Sequence, residues 1–477
     1  MYLTIKPFLV LLAIGGAFTY FVLKSRILVE LLGAVTKKGP SRLDRIPERV
    51  GAFVLDALLQ RSVRRKIGPG IAHTLIFWGF VVITIGTIEM MVEGIFHGVN
   101  LGLVSPALQG QYLRIADVLA LGVLSGVAFG FFRRLVLRPS YLRTGPDALF
   151  ILSITAGLMI SLFLMNAFRV AAYPGSELNG FLVLSAPLAA LLGLPGLSPE
   201  AGFAGMEVFY WAHLLLVLGF LVYIPNSKHL HIVAAAPNVF FKHLDTPKPM
   251  ETTNLEDENA TSFGLGKVSE ITWKNTLDLY ACTECGRCEE ACPADLTGKP
   301  LSPARLIHDF KVELLKQKDL VRSKKHDEIP GVVRDDNGLN ADVFWACTSC
   351  RACEEACPVF IEQTNLIFET RKNLVLMESK FPAELQTVFR NMENNFTPWA
   401  FGSDTRADWC RDLGVREMAD HPSAEVLYYV GCAGSFDDRA KKVATAIVSL
   451  LKKAGVDFAI LGKEEKCNGD PARRAGN

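Results

Sequence analysis

Five apolar stretches, all in the first half of the chain, constrain this sequence most: residues 7–23, 71–92, 116–132, 147–168 and 207–224. Each approaches the roughly 20 residues that a helix needs to cross the hydrocarbon core of a bilayer. A segment inside lipid must satisfy its own backbone hydrogen bonds, so such runs fold as helices. A shorter apolar stretch, 181–194, is interrupted by Pro187 and followed by Pro195. It is too short to span and is expected to lie at the interface or to re-enter. No small-residue cleavage site follows the first stretch, and Lys24 and Arg26 come after it. It reads as an anchor with its N-terminus outside.

Charge separates the two halves. Residues 1–240 hold 19 Lys and Arg against 11 Asp and Glu, and the remainder holds 31 against 38. The net charge of +1 therefore hides +8 and −7. A single soluble domain would carry about 25% charge throughout. All 11 cysteines follow Ala281, unlike a short secreted disulfide scaffold. Nucleic-acid binding is not expected, because the cysteine-bearing half is acidic. Residues 24–70 hold eleven Lys and Arg, and the loop after the third stretch adds Arg133, Arg134, Arg138 and Arg143. The other two loops have Arg114 and Arg169 alone. Positive charge stays inside, so both basic loops and everything after the fifth stretch are expected in the cytoplasm, below a cytoplasmic (inner) membrane.

Histidines within a membrane are costly and mark function. His73 sits near the inner end of the second stretch, His213 near the outer end of the fifth, and His229 and His231 at or just past its inner end. From His213 to His231 is 18 residues, about 5.0 helical turns and about 27 Å. Both then share a helix face, which suits haem b at two levels, each held by histidines from two helices. Pro225 between them can kink the helix. The expected inner pair is His73 with His231, or with His229. At the outer level His97 is the only other candidate partner for His213; otherwise His213 serves a quinone. For any one histidine alone, hydrogen bonding to backbone or lipid is the simpler reading. Glu89 and Glu93 read either as a quinone proton relay or as interfacial anchors.

After a polar linker, expected to be exposed and containing Thr246, Pro247, Pro249, Glu251, Glu256, Asp257 and Glu258, comes Cys282-x2-Cys285-x2-Cys288-x3-Cys292-Pro293. The spacing recurs at Cys347-x2-Cys350-x2-Cys353-x3-Cys357-Pro358. This is the bacterial ferredoxin run, written twice. In two-cluster ferredoxins the fourth cysteine serves the other cluster. The expected ligand sets for two [4Fe–4S] clusters are Cys282, Cys285, Cys288 and Cys357, and Cys347, Cys350, Cys353 and Cys292. Zinc sites use longer gaps between paired cysteines. Ser302-Pro303 is expected to cap a helix running to about Lys318.

Helical patterns follow at 362–377 and 383–392. Residues 426–430 read as a buried strand, 439–454 as an amphipathic helix with Val443, Ile447, Leu450 and Leu451 on one face, and 457–461 as a second strand. This unit sets Cys432 and Cys467 at the ends of neighbouring parallel strands, where ligands gather. Cys410 stands alone near Trp409 and reads as structural or incidental.

The order of motifs resembles fused, membrane-bound relatives of heterodisulfide reductase. The membrane part is similar to the quinol-oxidising gamma subunit of respiratory nitrate reductase. Val430-Gly431-Cys432 and Glu465-Lys466-Cys467 resemble the first half-motif of the cysteine-rich CCG domain. The stretch from Gly469 to Arg474 looks like the electron-transfer flavoprotein:menaquinone oxidoreductases. The resemblance implies a multi-domain chain: an all-α transmembrane bundle over 1–240, a linker over 241–270, a two-[4Fe–4S] ferredoxin-like domain over 271–395, and the start of an α/β CCG domain over 396–477. It implies an oxidoreductase passing electrons from electron-transfer flavoprotein, or another cytoplasmic redox protein, to menaquinone. A heterodisulfide reductase-like enzyme, or a non-catalytic wiring subunit of a dehydrogenase, are the alternatives. Asn468 stands where that family usually has a second adjacent cysteine, and no second copy of the motif follows. Cys432 and Cys467 alone therefore cannot complete the family's noncubane third cluster, and the chain is expected to be a fragment or to borrow ligands.

Overall fold

The computed structural model describes residues 2–37, 39, 41–245, 250, 252–258, 260 and 262–477. Lys38 and the linker residues Thr246, Pro247, Pro249 and Glu251 lie outside the described residues, whereas Glu256, Asp257 and Glu258 are exposed. The chain forms two compact units, Met1–Pro249 with Lys267–Gln363, and Met250–Gly266 with Thr364–Asn477. This division differs from the four segments expected. The iron–sulfur motifs share a unit with the membrane helices, and the chain beyond residue 363 groups with the strand-end cysteines.

In the first unit five helices are long and apolar enough to cross a membrane: Ile5–Ala34, Ile67–Ile95, Pro106–Leu137, Pro146–Ala172 and Pro199–Asn226. They carry the five expected stretches. Ser105 and Ser198, each followed by proline, accept the backbone N–H of Leu108 and Ala201 and start the third and fifth helices. Small residues let helices approach. A Cβ on Gly126 of the third would lie 2.8 Å from the Ala72 carbonyl oxygen of the second. One core joins helices two, three and four around Ile83, Ala120, Val123 and Phe163, and another joins one, two and five around Val10, Met90, Tyr210 and Leu214. The first helix runs eleven residues past the expected end, to Ala34, because its polar last turns have partners: Glu30 pairs with Arg322 at 2.6 Å, and Tyr280 donates to the Leu28 carbonyl. Within 181–194 there is a helix of only seven residues, Ser185–Leu191. Buried Asp117 caps it, accepting the N–H of Leu184 at 2.6 Å and of Ser185 at 3.1 Å.

The fifth helix breaks at Tyr223. Two 3₁₀ turns, Ile224–Asn226 and Lys228–Leu230, follow, and His231 opens a new helix, His231–Phe240. The helical phase expected from His213 to His231 therefore does not hold, because Pro225 ends the run. The iron–sulfur part adds Trp273–Ala281, Arg287–Ala291, Pro303–Lys316 (capped by Ser302) and Ala352–Ala356.

The second unit holds a parallel sheet in the order β1 (Arg416–Glu417), β3 (Phe458–Ile460), β2 (Val426–Leu427). β3 is central and buried. β2 is two residues long and exposed, not the buried five-residue strand expected, because it lies at the sheet edge. Helix Asp438–Lys453 buries Ala444 and Val448, while Val443 and Leu450 are exposed. Its inward face is rotated by one residue from the expected one.

Candidate redox centres

Both cysteine runs fold the same way. Glu284 and Gly286 in the first, and Ser349 and Arg351 in the second, take left-handed φ values of 53°, 77°, 61° and 60°. Each run then enters a one-turn helix that ends at Cys-Pro. In the first run the turn brings three thiols to one cavity, and the fourth comes from the other run. Cys282, Cys285, Cys288 and Cys357 line one cavity, with Arg287, Ala304, Ile307 and Gln363. The thiols whose charge reaches Cys353 are Cys347, Cys292 and Cys350. Backbone N–H groups of Ile361 and Ser349 point at the sulfurs of Cys357 and Cys347, both at 3.4 Å.

Burial pushes the Cys357 thiol up to about 11, and raises Cys288 and Cys353 as well. Buried thiols of this kind ionise only against a compensating positive charge, which a metal centre supplies. Among the described residues no three Cys, His, Asp or Glu converge as ligands of a single ion. Four thiols around one cavity are the donor set of a four-iron cube, in which each thiolate takes its own iron.

The first run is seated on the loops of the membrane helices. Gly286 faces the Tyr141 carbonyl oxygen so closely that any Cβ would collide with it. Its positive φ independently favours glycine. Arg287 donates to the Ser62 and Val63 carbonyls at 3.3 and 2.7 Å, and Ser62 Oγ donates to the Pro358 carbonyl at 2.7 Å. Asn238 Nδ2 donates to the Val359 carbonyl at 2.8 Å and to Asp278 at 2.9 Å. Arg42–Glu362 and Lys274–Asp278 are buried ion pairs at 3.1 and 2.6 Å. Burial lifts Asp278 to about 6 against the pull of Lys274. Arg143 pairs with Glu289, Lys66 with Glu290 and Arg65 with Glu355. Basic loop residues counted for topology thus also bind the acidic iron–sulfur part. The sequence offered no signal for Asn238, Asp278 or Arg287 as partners, because each is defined by a residue distant in the chain.

The inner histidines come together. The rings of His229 and His231 are 5.0 Å apart, and His73 lies within electrostatic reach of both. Nδ1 of His73 and of His229 is buried, with no hydrogen-bond partner among the described residues. His231 Nδ1 lies 3.0 Å from the Lys228 carbonyl. A backbone carbonyl on one ring nitrogen is the usual support for a histidine whose other nitrogen binds metal. These residues fit a haem iron. Buried His213 has the same support, with Nδ1 3.0 Å from the Leu158 carbonyl and 2.9 Å from Ser161 Oγ. The histidine expected opposite it is elsewhere: the second helix ends at Ile95, and His97 is exposed in the turn beyond. Glu89 accepts the Leu101 N–H at 2.8 Å and Glu93 accepts from Asn100 at 3.3 Å, so both fasten the outer turn.

In the second unit Cys432 and Cys467 lie within side-chain hydrogen-bonding reach of each other. Arg406, 2% exposed, donates to Cys432 Sγ at 3.3 Å and to Glu465 at 2.8 Å. Glu465 also accepts the N–H groups of Val430 and Gly431, each at 2.9 Å. Neither Arg406 nor Glu465 was singled out in the sequence; Glu465 stood two residues from Cys467, whereas Arg406 had no local mark. Cys410 is buried, and its thiol donates to the Ala407 carbonyl.

Residues 274–358 match the family described as a 4Fe-4S dicluster domain, and 426–477 match a cysteine-rich (CCG) domain. The chain is an iron–sulfur protein. It is 32% identical to "Probable iron-sulfur-binding oxidoreductase FadF" of Bacillus subtilis, over 91% of this chain and 66% of that protein. It is 34% identical to "EtfAB:quinone oxidoreductase" of Syntrophomonas wolfei, over 91% of this chain and 65% of that protein. It is 28% identical to a dihydromethanophenazine:CoB–CoM heterodisulfide reductase subunit of Methanosarcina barkeri, over 43% of this chain and 49% of that one. The chain thus spans just under two thirds of the first two relatives' length. All three are named oxidoreductases or reductase subunits. No solved structure matches.

Proposed function

We propose that this chain is a membrane-bound oxidoreductase that takes electrons from a soluble redox protein, an electron-transfer flavoprotein, and delivers them to menaquinone. The observation that carries this is the seating of the first cysteine run on the loops beside His73, His229 and His231. Relatives named EtfAB:quinone oxidoreductase and iron–sulfur-binding oxidoreductase support the choice of donor and acceptor.

Iron–sulfur clusters and haem b each supply a reversible one-electron store. Cys282, Cys285, Cys288 and Cys357 would hold one [4Fe–4S] cluster, and Cys347, Cys350, Cys353 and Cys292 the other. His73 with His231 would hold haem b, with His229 as the substitute ligand. His213 belongs to a second haem or to the quinone. Gly286, Arg287, Ser62 and Asn238 fix the distance between the thiol-lined cavity and the histidines. The iron–sulfur part binds the basic loops, so both lie on one side of the membrane. That side is the cytoplasm, with the N-terminus outside. Residues 1–240 form the cytochrome b-like domain, 271–395 the ferredoxin-like domain and 396–477 the CCG domain. Reduced flavoprotein, supplied to the protein in liposomes with a menaquinone analogue, should yield menaquinol; no transfer refutes the reading. His73→Ala should remove most of a low-spin b-type absorbance. An unchanged spectrum would refute the inner-pair assignment.

Disulfide reduction is the second reading, favoured by the paired thiols of Cys432 and Cys467 and by the heterodisulfide reductase relative. Thiol release from a disulfide by the chain would support it over quinone reduction.

A further inference from the structure

The two thiol sites differ in polar lining. Gln363 is 1% exposed and lines the first cavity, and among the described residues nothing donates to its side-chain oxygen, so no partner fixes which way the amide is turned. Arg287 lines the same cavity, anchored to the Ser62 and Val63 carbonyls. Ala304 and Ile307 of the helix Pro303–Lys316 line it too, and Lys311 is one turn beyond Ile307 on that helix. Lys311 feels Cys282 as its strongest charged neighbour and has no hydrogen bond or ion pair among the described residues. The second site differs at the matching position. Six residues after Cys357 is Gln363; six after Cys292 is Gly298, exposed and without a side chain to offer. Cys350, of the second site, is the exposed member of the eleven cysteines. After burial, Glu354 weighs most on Cys353, whereas only other cysteines follow burial for Cys288.

Reduction adds negative charge to a cluster. Nearby cations and N–H donors to its sulfurs stabilise the reduced form, and potentials follow net charge, hydrogen bonds and exposure. With its oxygen unheld, the amide can turn its NH2 group, the donor it has to offer, toward the cavity, and a cluster sulfur accepts such a hydrogen bond. Building on the cluster reading proposed above, we infer that Gln363 donates to the first cluster. With Arg287 and Lys311 it makes the site beside the membrane helices the better electron acceptor of the two. The exposed second site is then the point of entry, and the potential difference favours transfer toward the histidines.

The test is a redox titration of the purified full-length chain, followed by electron paramagnetic resonance, with Cys350→Ser identifying the second cluster's signal. The first cluster should titrate at the higher midpoint. Gln363→Leu should lower that midpoint and leave the second unmoved, and Gln363→Glu should lower it further. Lys311→Met should lower it too, and it decides the question if the Gln363 variants lose the cluster. A first cluster at the lower midpoint, or variants that leave it unmoved or shift both clusters alike, would overturn the proposal. Fewer than two cluster signals in the unaltered chain would instead sink the cluster reading beneath it, a result distinct from two clusters in the wrong order.

Discussion

The two cysteine runs share one spacing and one backbone turn, and both touch the loop that carries Ser62 and Arg65, yet their three-cysteine turns are packed differently. The first is pressed against the loops of the membrane helices: Tyr141 leaves no room for a Cβ at position 286, and Arg287 is tied to Ser62 and Val63. The second has Arg351 where the first has Gly286, and its Cys350 is exposed. A repeated motif therefore specifies a local shape without specifying a role. The role comes from what each copy is packed against.

The largest expected effects test the ligands themselves. Cys285→Ser should abolish one cluster's signal and block reduction of haem by the donor. Cys350→Ser should abolish the other signal and leave the haem spectrum intact. If one substitution removes both signals, the two runs are not separate sites. Next is the contact that separates the runs. Gly286→Ala should cost about 1–2 kcal/mol for the left-handed backbone alone, with the collision against Tyr141 in addition. Arg351→Gly should be tolerated to within about 1 kcal/mol, since glycine adopts that turn without strain. Thermal unfolding in detergent, with cluster absorbance as the readout, decides this, and equal losses would erase the distinction. Glu362→Gln, which leaves Arg42 buried beside a neutral partner while Lys274 keeps Asp278, should cost about 3–5 kcal/mol by the same assay. The smallest effect is expected at the rim. Arg65→Ala breaks an exposed pair with Glu355 and should cost about 0–1 kcal/mol; a larger loss would mean that this rim contact holds the second run as firmly as the buried contact of Ser62 with Pro358 does.

Much of the architecture was readable from periodicity and spacing, because both are local. A run of apolar residues announces a helix that lipid can accept, and Cys-x2-Cys-x2-Cys-x3-Cys-Pro announces its own turn. Failures came where distant residues decide. The phase from His213 to His231 assumed one helix, but Pro225 divides it. The face of Asp438–Lys453 was misassigned by one residue, because apolar Val443 and Leu450 point outward in this chain. Residues 426–430 looked buried by composition, but the sheet placed Val426 and Leu427 at its edge. Arg406 and Asn238 carried no mark at all.

Sequence alone determined the number of helices long and apolar enough to cross a membrane, the two iron–sulfur motifs and which histidines lie at the ends of those helices, since each follows from chemistry within about one helical length. Tertiary structure decided which three-cysteine turn is pressed against the Tyr141 carbonyl and which leaves a cysteine exposed, and where the cations Arg287 and Lys311 stand. Those choices rest on close approach between segments far apart in the chain. A glycine without a Cβ, a carbonyl in reach of a guanidinium and a glutamine beside four thiols acquire meaning only from their neighbours.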